Sequence, residues 1–271
     1  DTVVRCEVLE EQSGKTAAEL RKTIEIQRNT IVELARQAAE GEDTDRLRPL
    51  ESPRPQAEGM PPHGQGSAVY IDGGRYLGEM KDDLPDGLGV MAYPDGGQYV
   101  GEWQAGQRTG RGTLTLPDGS SYAGQWEQDA MAGEGMLMQP GGRTYMGRWK
   151  NNLSDGPGIE THPDGKKYEG EFKKGHYEGR GTLTLANGTR YAGEFKSGLS
   201  NGQGVLRYPN GDLYEGEFKN NKYHGQGTLT LVDGRTYTGE LEKGLPHGRG
   251  IMTLPDGRKY VGEFKNGQFI P

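Results

Sequence analysis

From about residue 64 onward, apolar and polar residues alternate along this chain, and glycine breaks the alternation at regular intervals. Between Gly179 and Gly198, two alternating runs flank the pair Asn187-Gly188. A period of two is typical of a half-buried strand, and an Asn-Gly pair between two such runs predicts a β-hairpin. This segment therefore predicts two antiparallel strands joined by a tight turn.

The same pattern recurs every 23 residues without insertion or deletion. Each recurrence contains a Gly-x-Gly pair and then a Tyr-x-Gly unit, which opens at Tyr76, Tyr99, Tyr122, Tyr145, Tyr168, Tyr191, Tyr214, Tyr237 and Tyr260. A constant period indicates units that stack on one another. The sequence predicts a mainly β fold, an elongated single-layer antiparallel sheet of nine stacked β-hairpins over residues 64–271, preceded by an N-terminal α-helix.

The turn also predicts the strand register. A three-residue loop at 186–188 places Leu183 opposite Tyr191 and Gly181 opposite Gly193. Side chains then separate into an apolar face (Leu183, Leu185, Tyr191 and Phe195) and a polar face (Thr182, Thr184, Ala192 and Glu194). The glycine that follows each tyrosine is predicted to leave room for a neighbouring ring to lie flat on the backbone.

The N-terminal segment, residues 1–48, has a different pattern. Residues 16–39 contain no Gly or Pro, and apolar residues recur there at helical spacing, which makes Leu20, Ile24, Ile31 and Leu34 a candidate helix interface. Two interpretations are open: self-association as a coiled coil, or docking on the repeat array or on another protein. Residues 49–63 are polar and proline-rich, and they predict a semi-rigid linker.

Composition limits the classes of function. Hydrophobic residues make up 31% of the chain, 47 residues are glycine and the net charge is -7, so a thick core and a nucleic-acid partner are both disfavoured. Cys6 is the single cysteine, so no internal disulfide framework is expected. No run of about 20 apolar residues is present. The chain starts at Asp1 and not at Met, which leaves an upstream signal or anchor, and the compartment, open.

The repeated unit resembles the MORN repeat. The resemblance rests on Tyr-x-Gly-Glu-Phe/Trp followed by Gly, with the upstream Gly-x-Gly pair and Asp-Gly turn, and it is clearest over residues 168–173 and 214–219. Four positions depart from the pattern: Met80, Gln125, Arg148 and Leu241. The resemblance implies an elongated single-sheet scaffold that joins large assemblies, often near membranes or the cytoskeleton, and that often dimerises.

The irregular repeats supply candidate interface residues. The candidate protein interface comprises three tryptophans at the Phe position and four nearby methionines: Trp103, Trp126, Trp149, Met131, Met136, Met138 and Met146. Tryptophan and methionine give large or adaptable apolar contacts at interfaces. The alternative is that they are larger core residues, although the last three methionines are predicted on the polar face.

A candidate polar spot interrupts the apolar face where Gln139, Glu160 and His162 replace aliphatic residues. A polar contact with a partner or with the N-terminal helix would offset the cost of burying these groups. One carboxylate and one imidazole supply neither a full metal-ligand set nor a nucleophile, so no metal, cofactor or catalytic role is expected.

The sequence thus predicts a non-catalytic scaffold that mediates protein–protein assembly within a larger complex. Its expected partners are other proteins of that assembly, together with further copies of itself through the N-terminal helix. The alternative is a membrane-surface adaptor that binds anionic phospholipids through the repeat array. Because Glu and Lys alternate on the polar face with little net charge, any membrane contact is expected to be indirect.

Overall fold

The computed structural model describes residues 63–70 and 72–270. The predicted helical segment 1–48, including Leu20, Ile24, Ile31 and Leu34, lies outside the described residues, as does the predicted linker up to residue 62. The chain divides into two units, Asp1–Pro140 and Gly141–Pro271.

The first unit contains seven strands, each antiparallel to the next in chain order. They are β1 (His63–Val69), β2 (Arg75–Lys81), β3 (Leu84–Ala92), β4 (Gln98–Gln104), β5 (Gln107–Thr115), β6 (Ser121–Glu127) and β7 (Ala130–Met138). The second unit contains twelve strands that pair in the same way. They are β8 (Thr144–Lys150), β9 (Leu153–Thr161), β10 (Lys167–Lys173), β11 (His176–Thr184), β12 (Arg190–Lys196), β13 (Leu199–Arg207), β14 (Leu213–Lys219), β15 (Lys222–Thr230), β16 (Thr236–Glu242), β17 (Leu245–Thr253), β18 (Lys259–Lys265) and β19 (Gln268–Ile270). The predicted mainly β fold, an open antiparallel sheet of stacked hairpins, is confirmed.

The predicted hairpin register is also confirmed. Leu183 lies opposite Tyr191 and Gly181 opposite Gly193. The loop closes with a 2.8 Å hydrogen bond from the Leu185 N–H to the Thr189 carbonyl, and Gly188 has a φ of 84°. A left-handed glycine after a type I turn matches the right-handed twist of the flanking strands.

A second kind of turn joins one hairpin to the next. At Lys174-Gly175 both residues have positive φ, 48° and 83°, as a two-residue type I′ turn requires. The pairing beyond this turn contains a bulge, which shifts the register between Gly170 and Phe172. The bulge gives Gly179 a φ of 62°. The first glycine of the Gly-x-Gly pair is therefore required by backbone conformation.

The second glycine is required by packing. A Cβ on Gly204 would lie 2.6 Å from the ring of Tyr191, and one on Gly193 would lie 2.6 Å from the Gly204 Cα. The tyrosine ring therefore lies flat across two paired glycines of adjacent strands. The prediction of a neighbouring ring was wrong in this detail, because the ring over each such glycine belongs to the tyrosine of the same Tyr-x-Gly unit.

The tyrosines and the Phe or Trp residues of neighbouring repeats form edge-to-face ladders within each unit. In the second unit, the Tyr168 ring is 5.1 Å from Phe172 and 5.1 Å from Phe195, at interplanar angles of 89°. Each such pair contributes about 0.5–1.5 kcal/mol beyond area burial. The Tyr168 hydroxyl donates a 2.9 Å hydrogen bond to the Glu171 carbonyl, so the buried polar group is satisfied. We call the ladder side the aromatic face and the opposite side the back face.

Candidate interaction surface

The three tryptophans of the candidate interface belong to the ladder. Trp103, Trp126 and Trp149 are only 5–7% exposed. In the first unit, the Trp126 ring packs edge-on against Tyr99 and Tyr122, and its Nε1 donates to the Gly112 carbonyl at 3.2 Å. This burial favours the second interpretation from the sequence, in which the tryptophans are larger core residues.

The methionines are more accessible than the tryptophans. In the first unit, Met131 lies opposite Trp126, whereas Met136 lies opposite Ala123 on the back face. Met138 is also on the back face and is 46% exposed. Met146 lies on β8 of the second unit and is half-buried. The placement of Met136, Met138 and Met146 agrees with the face predicted for them.

A continuous apolar row crosses the aromatic face of the second unit. It consists of Leu183, Leu206, Leu229 and Met252, all half-buried, and we call it the apolar row. Each member is paired with a ladder tyrosine on both sides; Leu206, for example, lies opposite Tyr191 and Tyr214. Tyr168, Tyr191, Tyr214 and Tyr237 are buried, whereas the row residues that alternate with them are half-buried, so the row contributes accessible apolar surface to this face.

The apolar row is widened at the hairpin tips by larger side chains. Leu185 and Tyr208 are each 38% exposed. Tyr208 and Tyr223 share a 2.9 Å hydrogen bond between their hydroxyls, and the Tyr223 ring stacks on Tyr214 at 3.8 Å. A contiguous apolar surface of this kind on a folded chain is typical of an interaction site.

Four residues of the second unit form a polar cluster beside this row: Arg143, Glu160, His162 and Tyr177. Glu160 occupies the leucine position between Tyr145 and Tyr168 and is 6% exposed. Its Oε2 accepts a 2.6 Å hydrogen bond from Arg143 Nη2. Its Oε1 lies 2.7 Å from His162 Nε2 and accepts a 2.7 Å hydrogen bond from the Tyr177 hydroxyl.

These contacts keep Glu160 charged. Burial by itself would raise the pKa of the Glu160 carboxyl, but the hydrogen bonds from Arg143, His162 and Tyr177 outweigh burial and hold that pKa below its usual range. Burial and the hydrogen bond to Glu160 raise the pKa of Tyr177, so the phenol stays a donor. The cluster is an anchored ion pair at the edge of an apolar surface.

The candidate polar spot is therefore only partly reproduced. The structure brings Glu160 and His162 together, and it adds Arg143 and Tyr177, which sequence reasoning missed. Gln139 belongs to the first unit and is exposed just beyond β7. Arg143 and Tyr177 lie 17 residues before and after Glu160. This symmetric spacing was the feature of the sequence from which their contact with Glu160 could have been predicted.

Two further roles were missed because they involve the backbone. Glu102 and Glu217 accept N–H groups at the bulge of the following strand, from Arg111 at 2.8 Å and Gln226 at 3.1 Å. These glutamates therefore brace the backbone of the next strand, a role that their position on the predicted polar face does not reveal. In addition, the side chains of Asp86, Asp155, Glu178 and Asn201, at an inter-repeat position, accept the N–H of the next type I′ turn. Both contacts connect one repeat to the next.

Over residues 63–70 and 72–270, no group of three or more His, Cys, Asp or Glu side chains is placed to hold a metal ion. Within the same ranges, no helix is long and apolar enough to cross a membrane. The chemistry available on these surfaces is apolar contact, hydrogen bonding and ion pairing.

The geometry defines a hairpin-repeat protein, in which each 23-residue unit adds two strands to an open sheet. The MORN repeat family model matches nine consecutive segments: residues 76–98, 99–121, 122–142, 145–167, 168–190, 191–213, 214–234, 237–257 and 260–269. The chain belongs to the MORN-repeat family. Among curated proteins, the comparison finds no match.

Three solved structures show a distant similarity. The TCP10 domain of Danio rerio CPAP, in complex with a Danio rerio STIL peptide, is 17% identical over 76% of this chain and 98% of that chain, with a TM-score of 0.30. The SAS-4 (dCPAP) TCP domain of Drosophila melanogaster, in complex with a proline-rich motif of Ana2, is 14% identical over 82% and 100%, with a TM-score of 0.26. Virginiamycin B lyase from Staphylococcus aureus is 13% identical over 77% and 72%, with a TM-score of 0.15. At TM-scores this low, these likenesses carry no argument about this chain.

Proposed function

We propose that this chain is a non-catalytic interaction scaffold that binds an apolar segment of another protein across the aromatic face of its second unit. The observation that carries the proposal is the apolar row of Leu183, Leu206, Leu229 and Met252. These side chains alternate with the buried ladder tyrosines across the sheet and remain half-exposed over four successive hairpins. Extended surfaces on repeat arrays are suited to extended ligands.

The polar cluster makes one end of this surface chemically different from the other. Arg143 is 43% exposed at its side chain, and Lys166 lies 5.9 Å from the Tyr177 ring centroid at the same end of the row. We therefore expect the bound segment to be apolar along most of its length and to carry an acidic residue toward Arg143 and Lys166. Charge at the rim of an apolar interface selects the partner and its orientation more than it adds affinity.

The test compares adjacent residues that point to opposite faces. A photo-crosslinking amino acid replaces Leu206 in one variant and Val205 in the matched control, in cells that make the chain natively. We expect covalent adducts with a protein from position 206, few adducts from position 205, and loss of the position-206 adducts when Leu229→Lys is added. Equal adducts from both positions, or adducts with lipid from position 206, would contradict the proposal.

A folding control accompanies these variants. Leu229→Lys is compared with Thr228→Lys, its neighbour on the back face, by thermal unfolding followed by circular dichroism. Loss of adducts counts only when the variant unfolds within a few degrees of the control, since an unfolded unit would lose all binding. If Leu229→Lys unfolds early, Leu229→Gln takes its place.

A further inference from the structure

The back face of the first unit carries a second apolar row, at positions where a polar face was predicted. One residue from each of six consecutive strands lies in this row, and each faces the next directly across the ladder: Leu77, Val90, Val100, Thr113, Ala123 and Met136. We call this the back-face row. No residue in it is charged.

Larger exposed side chains flank the back-face row. Leu88 is 60% exposed and lies two residues from Val90 on the same strand and face. Met138 is 46% exposed and lies two residues from Met136. Leu77, Val90, Val100 and Met136 are themselves half-buried and not buried. The result is an apolar patch that nothing in the described part of the first unit covers.

The corresponding row in the second unit differs in charge. There, Glu169 and Glu215 occupy positions equivalent to Val100 and Leu77, and they interrupt the apolar residues. Beyond Glu215, an uncharged stretch of the second unit spans only four strands, at Thr228, Thr238, Ile251 and Val261. An uncharged back-face row that spans six strands is therefore a feature of the first unit. An apolar helix stripe would have to desolvate carboxylates on the second unit, which is costly.

We infer that the N-terminal segment 16–39 of this same chain docks as a helix on the back-face row. The lengths agree: Leu20 to Leu34 spans about 21 Å of helix, and six strands span about 24 Å from first to last. Residues 40–62 could extend over about 75 Å, so the linker does not confine the helix to the strands next to residue 63. Selection of the first unit must then come from the surfaces themselves.

The charges that border the two surfaces also agree. One side of the back-face row is acidic, because it carries three glutamates and one basic residue: Glu79, Glu102, Glu134 and Arg111. The other side is mostly neutral and carries Gln98, Thr115 and Ser121, with Arg75 as its basic residue. On a helix over 16–39, Arg21 and Arg28 border one side of the stripe and Thr23 and Thr30 border the other. One orientation therefore places basic residues along the acidic side and neutral residues along the neutral side.

The first test measures proximity in the full chain. In a Cys6→Ser background, Ile24→Cys is combined either with Val90→Cys or, as a matched control, with Val205→Cys, which occupies the equivalent position five repeats later. A bismaleimide that spans the ~10 Å between packed layers joins nearby thiols. We expect about tenfold more intramolecular cross-link at position 90 than at position 205, because docking would give the thiol at position 24 a high effective concentration near position 90.

Two outcomes would overturn the inference. Equal intramolecular yields at the two positions would mean that the segment has no preference for the back-face row. Cross-links at position 90 that join only different copies, detected by mixing isotope-labelled and unlabelled chains, would assign the patch to a second copy. Neither outcome depends on the aromatic face of the second unit, so the proposed function is tested separately.

The second test leaves the array unchanged. Ile24→Asp combined with Ile31→Asp removes the apolar stripe, and methionine oxidation by dilute peroxide is followed by peptide mass spectrometry. We expect Met136 and Met138 to oxidise several-fold faster in this variant than in the wild type, because the helix no longer shields them. Met252, in the second unit, is the internal control and should not change. Unchanged rates at Met136 and Met138 would overturn the inference.

Discussion

The Tyr177 hydroxyl donates a 2.7 Å hydrogen bond to Oε1 of Glu160, although β10 lies between the strands that carry the two residues. The Tyr177 ring spans β10 by stacking on Tyr168 at a centroid distance of 3.7 Å. One side chain thereby connects three consecutive strands. The contact shows how the second unit buries a carboxylate at a position where the following repeats hold leucine or methionine.

Replacing Glu160 with leucine, the residue at the equivalent position in several repeats, should not destabilise the second unit. A buried ion cluster contributes little net stability relative to a well-packed apolar group, so we expect the free energy of unfolding to stay within about 1 kcal/mol of wild type or to rise. Urea denaturation followed by circular dichroism measures this. A loss of more than about 2 kcal/mol would mean that the cluster is a principal stabilising element.

The matched control introduces a carboxylate where no partner is available. At Leu229, the positions equivalent to Arg143, His162 and Tyr177 hold Asp212, Leu231 and Pro246. Leu229→Glu should therefore lower the free energy of unfolding by about 2 kcal/mol, because the new charge is partly desolvated and lies near another acid. If Leu229→Glu is as stable as wild type, the cluster around Glu160 is not needed to bury a carboxylate.

Stability should depend on pH in the acid range through Glu160. Because hydrogen bonds lower the pKa of this carboxyl in the folded state below its ordinary value of 4.5, its contribution is complete above about pH 4.5 and is lost as pH falls further. The difference in unfolding free energy between wild type and Glu160→Leu should shift against wild type as the pH falls below about 4.5. A difference that does not change down to pH 3 would contradict the lowered pKa.

The ladder tyrosines should make the array sensitive to alkali. Burial raises the pKa of Tyr191 and of Tyr214 from the ordinary value of 10.0 to about 12. Folding therefore favours the protonated phenol, so stability is complete below pH 10 and decreases as pH rises from 10 toward 12. Absorbance at 295 nm should show these groups ionising together with loss of circular dichroism. Ionisation near pH 10 without unfolding would show that the rings are accessible to solvent.

Alanine at a ladder glycine should be far more costly than alanine at a turn glycine. Gly204→Ala places a methyl group 2.6 Å from the Tyr191 ring, and we expect a loss of about 3 kcal/mol. In Gly198→Ala the new methyl meets nothing within 4 Å, and only the φ of 83° opposes it, so the loss should be about 1 kcal/mol. Similar losses for both variants, measured by thermal denaturation, would mean that the ring does not lie on the glycines.

Much of the fold could be predicted from local sequence. The Asn187-Gly188 turn determined that Leu183 lies opposite Tyr191, because a hairpin turn and the two-residue alternation leave only one register that places apolar residues on one face. The bulge at Gly179 was not predicted. The bulge depends on the pairing between one hairpin and the next. The type I′ turn that joins the two hairpins sets the register of that pairing, independently of the register within each hairpin.

The candidate sites were less predictable. Trp126 was identified from its rarity, but whether it faces a partner or the ladder depends on the ring of Tyr99 in a neighbouring repeat. Arg143 was missed because nothing near it in sequence distinguishes it from a solvated arginine. Its role depends on Glu160, which the sheet brings within 2.6 Å.

The sequence by itself determined the repeat, the hairpin, the register within each hairpin and the face on which each side chain lies, because these depend on residues less than 23 positions apart and on the constant two-residue alternation. Only the tertiary structure decided which members of each face are buried, which carboxylate is paired and which apolar row is left uncovered. Those properties depend on contacts between side chains of different strands. Alternation places these side chains on the same face but does not determine how deeply each one is buried. Burial is a property of the neighbouring repeats as well as of the residue itself.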